Sequence, residues 1–242
     1  MFSDAIKPKV GIIVQARLGS KRLPQKIFKQ LTPEHIVLEY LLKRLSNCHN
    51  YDCLVVATTK NLKDNVLAEW LDENNYLYYR GDEANCLKRY CETCNKFNID
   101  IIVRITSDCP LVIPEIVDEM IGYYLNNRTE IDYLSNRQYT NFPEGLDTEI
   151  FSKRIIQEAL RYAEKQEELE HINYFFLYRN QKYKIRYFNQ NTGFDYSKYK
   201  LSIDTKSDLS RIQNLFFQNK LKYNFSFIDL INVLTNLEKN HV

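Results

Sequence analysis

Apolar positions in the first half of the chain alternate between two spacings. Residues 10–16 form a nearly continuous apolar run, which is typical of a strand covered on both faces of a parallel sheet. Comparable runs predict further strands at 53–57, 76–79 and 100–105. Apolar residues at helical spacing predict helices at 32–45, 66–71, 83–97 and from Pro114. This alternation predicts right-handed βαβ units around a mostly parallel, Rossmann-like sheet flanked by helices, which is an α/β fold.

The first of these helices has a sequence signal for its start. Thr32 is expected to be the N-cap and Pro33 to occupy the first helical position.

From about residue 128 the alternation is less regular. Strands are predicted at 149–151, 184–188 and 200–203, and helices at 152–164, 168–178, 206–217 and 226–237. No repeat or Pro/Gly-rich linker separates the two halves. We therefore expect a single domain over 1–242, with a nucleotide-binding half at 1–127 and acceptor-binding and dimerisation elements at 128–242.

Composition narrows the classes of protein that the chain can belong to. Apolar residues make up 44% and charged residues 26%, and the net charge is +2. These values exclude a disordered or collagen-like chain and disfavour a nucleic-acid-binding module. Apolar stretches of roughly 18 residues are absent, and residues 1–9 lack the apolar segment of a secretory signal, so no membrane association and a cytoplasmic location are expected.

The six cysteines are expected to be thiols, because the sequence carries no export signal. Cys91 and Cys94 form a C-x-x-C, but no second ligand pair follows at zinc-ribbon spacing. The pair also lies late in a predicted helix, whereas a redox motif stands at a helix start. Helix packing is the favoured interpretation.

Four cations crowd the loop at 17–26, directly after the first strand. In open α/β sheets, ligands bind just outside the carboxyl ends of strands. Gly19 and Ser20 allow close approach of the backbone, and Arg17, Arg22 and Lys26 are candidates to neutralise a polyphosphate. Neither the P-loop motif nor G-x-G-x-x-G is present, and a merely solvated basic loop is the alternative.

This loop resembles the R-x-G-S-x-R-L-P-x-K signature of nucleotide-sugar cytidylyltransferases. Within that superfamily it is most similar to the SpsF-like branch of spore-coat polysaccharide proteins, which are relatives of CMP-KDO synthetase. The resemblance extends over about 10–209. It implies a nucleotidyltransferase (GT-A-like) architecture, CTP as substrate, with Ala16, Gly19 and Ser20 near the nucleotide, and a homodimer.

Two aspartates resemble the family's metal ligands. Asp108 stands in R-I-T-S-D-C-P-L, which is similar to T-x-D-x-P-L, and Asp204 stands in D-T-K-S-D-L, which is similar to D-T-P-E-D-L. The resemblance implies that both bind Mg²⁺, an ion that prefers few carboxylates plus phosphate oxygens and water. Lys206 and Ser207 replace the usual Pro-Glu. Each aspartate has an alternative role as a helix N-cap.

The end of the second strand and the following R-G element border the base in the resembled family. The corresponding residues here are Ala57, Thr58, Thr59, Arg80 and Gly81. The same V-V-A-T-T stretch also serves simply as a buried strand end. Specificity for cytosine therefore rests on the resemblance, and uridine or guanosine nucleotides remain open.

The acceptor side carries two further resemblances. Gly145, Asp147 and Glu149 stand in P-E-G-L-D-T-E, which resembles the SpsF-like P-x-G-x-D-x-E motif, and His171 stands in a variant of E-H-V-T. Arg104 is assigned to the acceptor as well. The alternatives are a turn stabilised by Asp147 and a packed helix histidine facing a dimer partner, where part of the aromatic block at 174–178 would also lie.

The expected reaction is Mg²⁺-dependent transfer of CMP from CTP to a phosphomonoester, with release of pyrophosphate, in capsule or surface polysaccharide biosynthesis. Phosphoglutamine, which would give CDP-glutamine, is one candidate acceptor. A 3-deoxy sugar acid acceptor and a non-catalytic nucleotide-binding scaffold are the alternatives. A glycosyltransferase is disfavoured because no D-x-D motif follows a predicted strand.

Overall fold

A twisted sheet of mixed direction forms the centre of the protein. The computed structural model describes residues 7–179, 181–190, 195–218 and 221–239. Within them the strands are β1 (Val10–Gln15), β2 (Cys53–Thr59), β3 (Leu77–Gly81), β4 (Ile101–Thr106), β5 (Tyr133–Ser135), β6 (Glu149–Ser152) and β7 (Ile185–Tyr187). Their order in the sheet is β3-β2-β1-β4-β6-β5-β7. All pairings are parallel except those of β6, which runs antiparallel to β4 and to β5. The predicted α/β fold with a mostly parallel sheet is confirmed.

Helices cover both faces of this sheet. They are α1 (Val37–Leu45), α2 (Asn65–Glu73), α3 (Cys86–Phe97), α4 (Pro114–Asn126), α5 (Lys153–Tyr162), α6 (Gln166–Glu170), α7 (Ile172–Tyr178), α8 (Lys206–Phe217) and α9 (Phe227–Lys239). Successive side chains of a strand point to opposite faces, so Ile12 packs with α1, α4 and α8 while Ile13 packs with α3, α5 and α7. This two-sided burial explains the continuous apolar run of β1.

The direction of the strands decides which loops meet. The carboxyl ends of β1 to β4 lie at one edge of the sheet because these strands are parallel. β6 is antiparallel, so its first residue, Glu149, pairs with Arg104 of β4 and with Ser135 of β5 near the same edge. The loops after β1, β2, β4 and β5 and the loop before β6 therefore share one edge.

The expected start of α1 was wrong. Thr32 and Pro33 lie in a turn, and the helix begins at Val37 with Ile36 as its N-cap. The hydroxyl of Thr32 accepts the N–H of His35 at 3.2 Å, and the N–H groups of Leu31 and Thr32 both donate to the carbonyl of His35. A local turn thus uses the groups that a helix would have needed.

Residues 200–203 do not form the expected strand. Lys200 makes one isolated bridge to Glu144, and the N–H of Ile203 donates to the carbonyl of Asp108 at 2.8 Å. The segment is therefore tied to two loops of the site instead of to the sheet. The short strand β5 was not predicted.

The helix expected at 168–178 is two helices. His171 ends α6 and precedes α7 with an extended conformation (φ −116°, ψ 94°). The break separates the aromatic block from α6, so that Phe175 and Phe176 are fully buried under the sheet while Tyr178 is exposed.

All six cysteines are free thiols. Cys91 and Cys94 lie in α3 and pack in the core between this helix and the sheet, where burial raises the pKa of each thiol to about 12. A clustered set of three or more metal-binding side chains does not occur in the described ranges. Helix packing, as expected, explains the C-x-x-C.

Among the residues that the structure describes, every helix is too short or too polar to cross a membrane.

Candidate active site

Lys26 is the centre of the site. It begins a short 3₁₀ turn, Lys26–Phe28, at the end of the basic loop that follows β1. Its ammonium donates to Asp108 Oδ2 at 2.8 Å and to the carbonyl of Ile203 at 2.9 Å, and lies 3.4 Å from Asp204 Oδ1. One cation therefore joins the loop after β1, the loop after β4 and the segment before α8.

Asp108 is a partly buried carboxylate, with its side chain 29% exposed. Burial would raise its pKa, but the charge and hydrogen bond of Lys26 and the hydrogen bond of Thr106 outweigh burial, and the pKa is lower than usual. The hydroxyl of Thr106 donates to Oδ1 at 2.5 Å. Asp108 does not cap a helix, because α4 begins at Pro114 after Ile113 as its N-cap. The exposed part of the carboxylate group is open to a ligand.

Asp204 lies opposite Asp108 and is surrounded by cations. Arg22 donates to Oδ1 at 2.8 Å, and the Lys200 ammonium lies 3.3 Å from Oδ2. The N-cap of α8 is Thr205, which forms a capping box with Asp208. The alternative role of Asp204 as the N-cap is therefore excluded, and its carboxylate faces the basic loop.

The oxygens around Lys26 fit a hard divalent cation. Two carboxylates and one carbonyl, from Asp108, Asp204 and Ile203, converge within 3.4 Å of the ammonium. Mg²⁺ binds through few protein carboxylates and completes its shell with phosphate oxygens and water. An ion bound by both carboxylates would share them with Lys26 or displace its ammonium.

The rest of the basic loop is open to solvent. The side chains of Arg17 and Arg22 are 51% and 67% exposed, and Arg17 lies 4.0 Å from Glu83. A Cβ on Gly19 would have only Glu83 Oε1 nearby, at 3.8 Å. The hydroxyl of Ser20 accepts the N–H of Leu23 at 3.4 Å. The loop thus presents exposed guanidinium groups beside an unobstructed backbone, which suits a polyphosphate.

The predicted base site lies at the end of β2. Ala57, Thr58 and Thr59 are fully buried, and Ala57 accepts the N–H of Ala16 at 3.2 Å. The hydroxyl of Thr58 is buried without a hydrogen-bond partner among the described residues. An unpaired buried hydroxyl is uncommon in native proteins.

Arg80 and Gly81 have structural contacts at this edge. The Arg80 guanidinium donates to the carbonyl of Thr59 at 2.9 Å, to that of Asn61 at 3.1 Å and to Asn65 Oδ1 at 2.7 Å. A Cβ on Gly81 would lie 2.8 Å from the side chain of Arg89. Both residues therefore hold the turn after β2 and the start of α3 in place.

Gly145 and Asp147 bring the loop before β6 into the site. Gly145 has a φ of +101°, and a Cβ there would lie 2.4 Å from the backbone of Leu201 and Ser202. Only glycine allows this close approach, which sets the loop against the segment that leads to Asp204. Asp147 Oδ2 lies 3.5 Å from Arg137 Nε, and burial raises the pKa of Asp147 to about 6 although Arg137 opposes this.

Glu149 and Arg104 are occupied with each other. Glu149 is 2% exposed, pairs with the Arg104 guanidinium and accepts the hydroxyl of Tyr133. Arg104 also approaches Gln15 Oε1 at 3.4 Å, and its Nε is buried without a partner in the described ranges. Asp147 and Glu149 were the two carboxylates predicted on the acceptor side. Of these, Asp147 is the one whose ion pair lies at the surface.

His171 lies exposed at the junction of α6 and α7, with its ring 4.8 Å from that of Tyr174. Within α7, Asn173 and Leu177 line a shallow depression together with Glu149 and Arg137. The residues of this segment that lie beside Glu149 are therefore Asn173 and Leu177, which follow His171.

Three residues of the site were missed in the sequence. Asp64 receives the N–H of Leu18, Asn136 binds the carbonyl of Leu146 and the N–H of Thr148, and Arg137 pairs with Asp147. Asn136 and Arg137 follow β5, so recognition of that short strand would have placed them at a carboxyl end.

Comparison with known proteins gives consistent matches over most of the chain. The sequence model of the family described as "Cytidylyltransferase" matches residues 11–230. The spore coat polysaccharide biosynthesis protein SpsF of Bacillus subtilis is 27% identical over 227 residues, 92% of each chain. The structure of a cytidylyltransferase from Leptospira borgpetersenii is 33% identical with a TM-score of 0.89 and covers 96% of both chains. A CMP:2-keto-3-deoxy-manno-octonic acid synthetase complexed with CTP has a TM-score of 0.68 at 15% identity, over 87% of this chain and 99% of that one, and shares the fold.

Proposed function

The chain belongs to the cytidylyltransferase family, as its motifs predicted, and from this premise we propose that it transfers the cytidylyl group of CTP to a phosphomonoester, with release of pyrophosphate, in the biosynthesis of surface polysaccharide. A CTP-dependent nucleotidyltransferase must bind a triphosphate beside an acceptor. The single observation that carries the proposal is the junction at Lys26, which holds Asp108 and Asp204 together next to an exposed basic loop.

The proposed chemistry is a direct displacement. An oxygen of the acceptor phosphate forms a bond to the α-phosphorus of CTP, and the bond from that phosphorus to the bridging oxygen breaks, so that pyrophosphate leaves with the electron pair. Such a reaction depends on positioning and electrostatics. Arg17, Arg22 and Lys26 would neutralise the β- and γ-phosphates as negative charge gathers on them. A phosphate acceptor is already ionised, so no general base is needed.

We propose that Mg²⁺ serves this reaction and that Asp108 and Asp204 hold it. When bound, the ion would supply positive charge to the phosphate oxygens. Two carboxylates from distant parts of the sequence, each beside an exposed cationic loop, support this assignment.

The acceptor side supports an anionic acceptor. Arg137 is the one cation among the described residues that line the depression beside Glu149, and its side chain is 44% exposed. The charge of Glu149 is already matched by Arg104, whereas Arg137 lies 3.5 Å from Asp147, so an anionic ligand would share Arg137 with Asp147 beside the polar groups of Gln138 and Asn173. Phosphoglutamine, which would give CDP-glutamine, is one phosphomonoester of this kind.

A 3-deoxy sugar acid is the second candidate acceptor, since its carboxylate would also pair with Arg137. The similarity in fold to a CMP:2-keto-3-deoxy-manno-octonic acid synthetase favours keeping a 3-deoxy sugar acid among the candidate acceptors. In either case we propose that the enzyme works in the cytoplasm, where CTP is made.

A homodimer is also proposed. Tyr162 and Tyr178 are half exposed on α5 and α7, which makes this face a candidate for the subunit contact. Light scattering coupled to gel filtration tests it: the proposal expects a mass twice that of the 28.9 kDa chain, and a monomer at all concentrations would contradict it.

The decisive experiment measures pyrophosphate release with a panel of substrates. Purified protein with Mg²⁺ is offered each of CTP, UTP, GTP and ATP with phosphoglutamine, phosphoserine, sugar 1-phosphates or 3-deoxy sugar acids. We expect release only with CTP and one class of acceptor. Asp204→Asn serves as the inactive control and Asp72→Asn, an exposed carboxylate bonded to Tyr78, as the matched active one. No release with any pair containing CTP would contradict the proposed reaction and favour a binding protein.

A further inference from the structure

Asp64 is a buried carboxylate that the proposed chemistry does not use. It lies at the N-terminus of α2, is 2% exposed and makes no ion pair among the described residues. Burial of an uncompensated charge destabilises a protein unless hydrogen bonds satisfy it. Here the N–H of Leu18 donates to Oδ1 at 2.7 Å, and the hydroxyl of Thr59 donates to Oδ2.

These two donors belong to different halves of the nucleotide site. Leu18 stands between Arg17 and Gly19 in the basic loop, and its side chain is itself buried in the core. Thr59 is the last residue of β2, at the predicted base site. Asp64 therefore joins the backbone of the triphosphate loop to the strand end beside the base through one side chain.

The turn that carries Asp64 is held rigidly by other groups. The hydroxyl of Thr59 accepts the N–H of Asn61 at 3.1 Å, and Asn61 Nδ2 donates to Glu83 at 2.6 Å. Arg80 binds the carbonyls of Thr59 and Asn61. The carboxylate of Asp64 is thus held by the turn that carries it, and its bond to the N–H of Leu18 attaches the basic loop to that turn.

We propose that Asp64 is a positioning residue for CTP: it orders the 17–20 backbone and registers it against the end of β2 before the nucleotide arrives. This inference rests on the proposed function. A loop that is already ordered loses less conformational entropy on binding, so the bond to Leu18 N–H contributes to the affinity for CTP. The acceptor contacts lie beyond β4 and would not sense the change.

The experiment measures CTP affinity by titration calorimetry, and the KM of each substrate by pyrophosphate release. Asp64→Ala removes both hydrogen bonds, and we expect its Kd and KM for CTP to rise about 10- to 100-fold with the KM of the acceptor unchanged. Asp64→Asn is expected to stay within about threefold of the wild type, since its carbonyl still accepts from Leu18 and its amide group donates to the Thr59 hydroxyl. Thr59→Val, which removes one donor, is expected to lie between the two.

Asp118→Ala is the matched control. Asp118 also uses its carboxylate to bind backbone N–H groups, those of His49 and Asn50, but in the segment that leads into the amino end of β2. We expect no change in CTP affinity for this variant. Wild-type CTP affinity in folded Asp64→Ala overturns the inference, and if that variant fails to fold, wild-type affinity in Thr59→Val overturns it. Failure of the wild-type protein to bind CTP at all would instead refute the proposed function.

Discussion

Lys26 places one positive charge between two carboxylates that are distant in the sequence. Its ammonium donates to Asp108 Oδ2 at 2.8 Å and lies 3.4 Å from Asp204 Oδ1. Without this contact the two carboxylates would repel each other, and a divalent cation or a cationic side chain is required between them. The side chain thus maintains the geometry of the site before substrates bind.

Asp108→Asn tests the importance of one of these carboxylates. We expect kcat to fall by about 10²- to 10⁴-fold, because the variant loses the negative charge that would hold Mg²⁺ against the α-phosphate. The fold should be retained, since an asparagine carbonyl can still accept the bond of Lys26 while its amide group donates to the hydroxyl of Thr106. Steady-state kinetics and circular dichroism measure the two effects. Near-normal turnover at saturating Mg²⁺ would refute the assignment.

Arg137→Gln tests the acceptor side. We expect the KM of the anionic acceptor to rise about 10- to 100-fold while the KM of CTP stays constant, because a charge-assisted pair is lost on that side alone. Arg137→Lys should recover part of the affinity. Equal KM values for the acceptor in all three proteins would show that another group binds it.

The raised pKa of Asp147 makes the stability of the folded protein depend on pH. In the folded protein its pKa is raised to about 6 from an ordinary value of 3.8, mainly by burial. The folded state therefore binds a proton more tightly than the unfolded state, and its stability falls as the pH rises from about 4 to about 6. We expect Asp147→Asn to raise the free energy of unfolding at pH 7.5 by about 1–3 kcal/mol and to change it little at pH 4.

Urea unfolding in EDTA at the two pH values measures this difference. Asp195→Asn is the control, and its effect on stability has the opposite sign. Hydrogen bonds from Ser197 lower the pKa of Asp195, so the ionised carboxylate of Asp195 stabilises the fold at pH values above the ordinary pKa. A stabilisation by Asp147→Asn that is equal at both pH values would show that the charge of Asp147 is not its cause.

The sequence predicted those residues of the candidate site that stand in recognisable motifs. Asp108, Asp204 and the basic loop could be found because a strand end and a run of cations mark them. Asp64 and Arg137 could not, because their importance depends on what lies opposite them in space: an N–H of Leu18 for one and Asp147 for the other. Likewise, the pairing of Arg104 with Glu149 depends on the register of β4 against β6.

At the scale of elements, one buried arginine fastens the C-terminal segment to the first helix. Arg44 of α1 donates to the carbonyls of Val112, Tyr223 and Phe225 at 2.9, 2.7 and 3.1 Å. Its guanidinium also lies 3.8 Å from the centre of the Phe225 ring. The side chain is 2% exposed, so these contacts are shielded from water.

Arg44→Met keeps the apolar stem and removes the donors. We expect the free energy of unfolding to fall by about 2–4 kcal/mol, because the carbonyls of Val112 and Phe225 lose the buried donor and that of Tyr223 keeps the hydroxyl of Tyr40. Urea unfolding measures this free energy. The control is Arg161→Met, which replaces an exposed arginine of α5 and should change the free energy of unfolding little. A decrease in the free energy of unfolding no larger than that of Arg161→Met would mean that water replaces the guanidinium group of Arg44.

Elements were predictable where the apolar pattern alone decides them. β1, β2, β4 and α4 match closely, since burial on both faces or on one stripe leaves a clear periodicity. The start of α1 was mistaken because a side-chain turn competes with a helix cap at Thr32. The 200–203 segment alternates like a strand, yet Gly145 packs against its backbone and ties it to a loop.

At the scale of the whole molecule, neither half of the chain can complete the core alone. β4 lies between β1 of the first half and β6 of the second. The larger apolar core packs residues of 10–121 against residues of the second half, which include Leu146, Ile150, Leu201, Ile203 and Leu230. We therefore expect the parts before and after residue 127 to fold as one cooperative unit.

A fragment of residues 1–127 tests this directly. We expect it to lack a cooperative unfolding transition, because one edge of β4 and the face of α1 that binds Tyr223 and Phe225 would be exposed to water. Amide proton dispersion in NMR spectra and urea unfolding followed by circular dichroism are the measurements. Adding residues 128–242 in trans should restore dispersion and CTP binding together, since Asp204 returns with them. A fragment that unfolds cooperatively near the midpoint of the full chain would show instead that the nucleotide half is a domain in its own right.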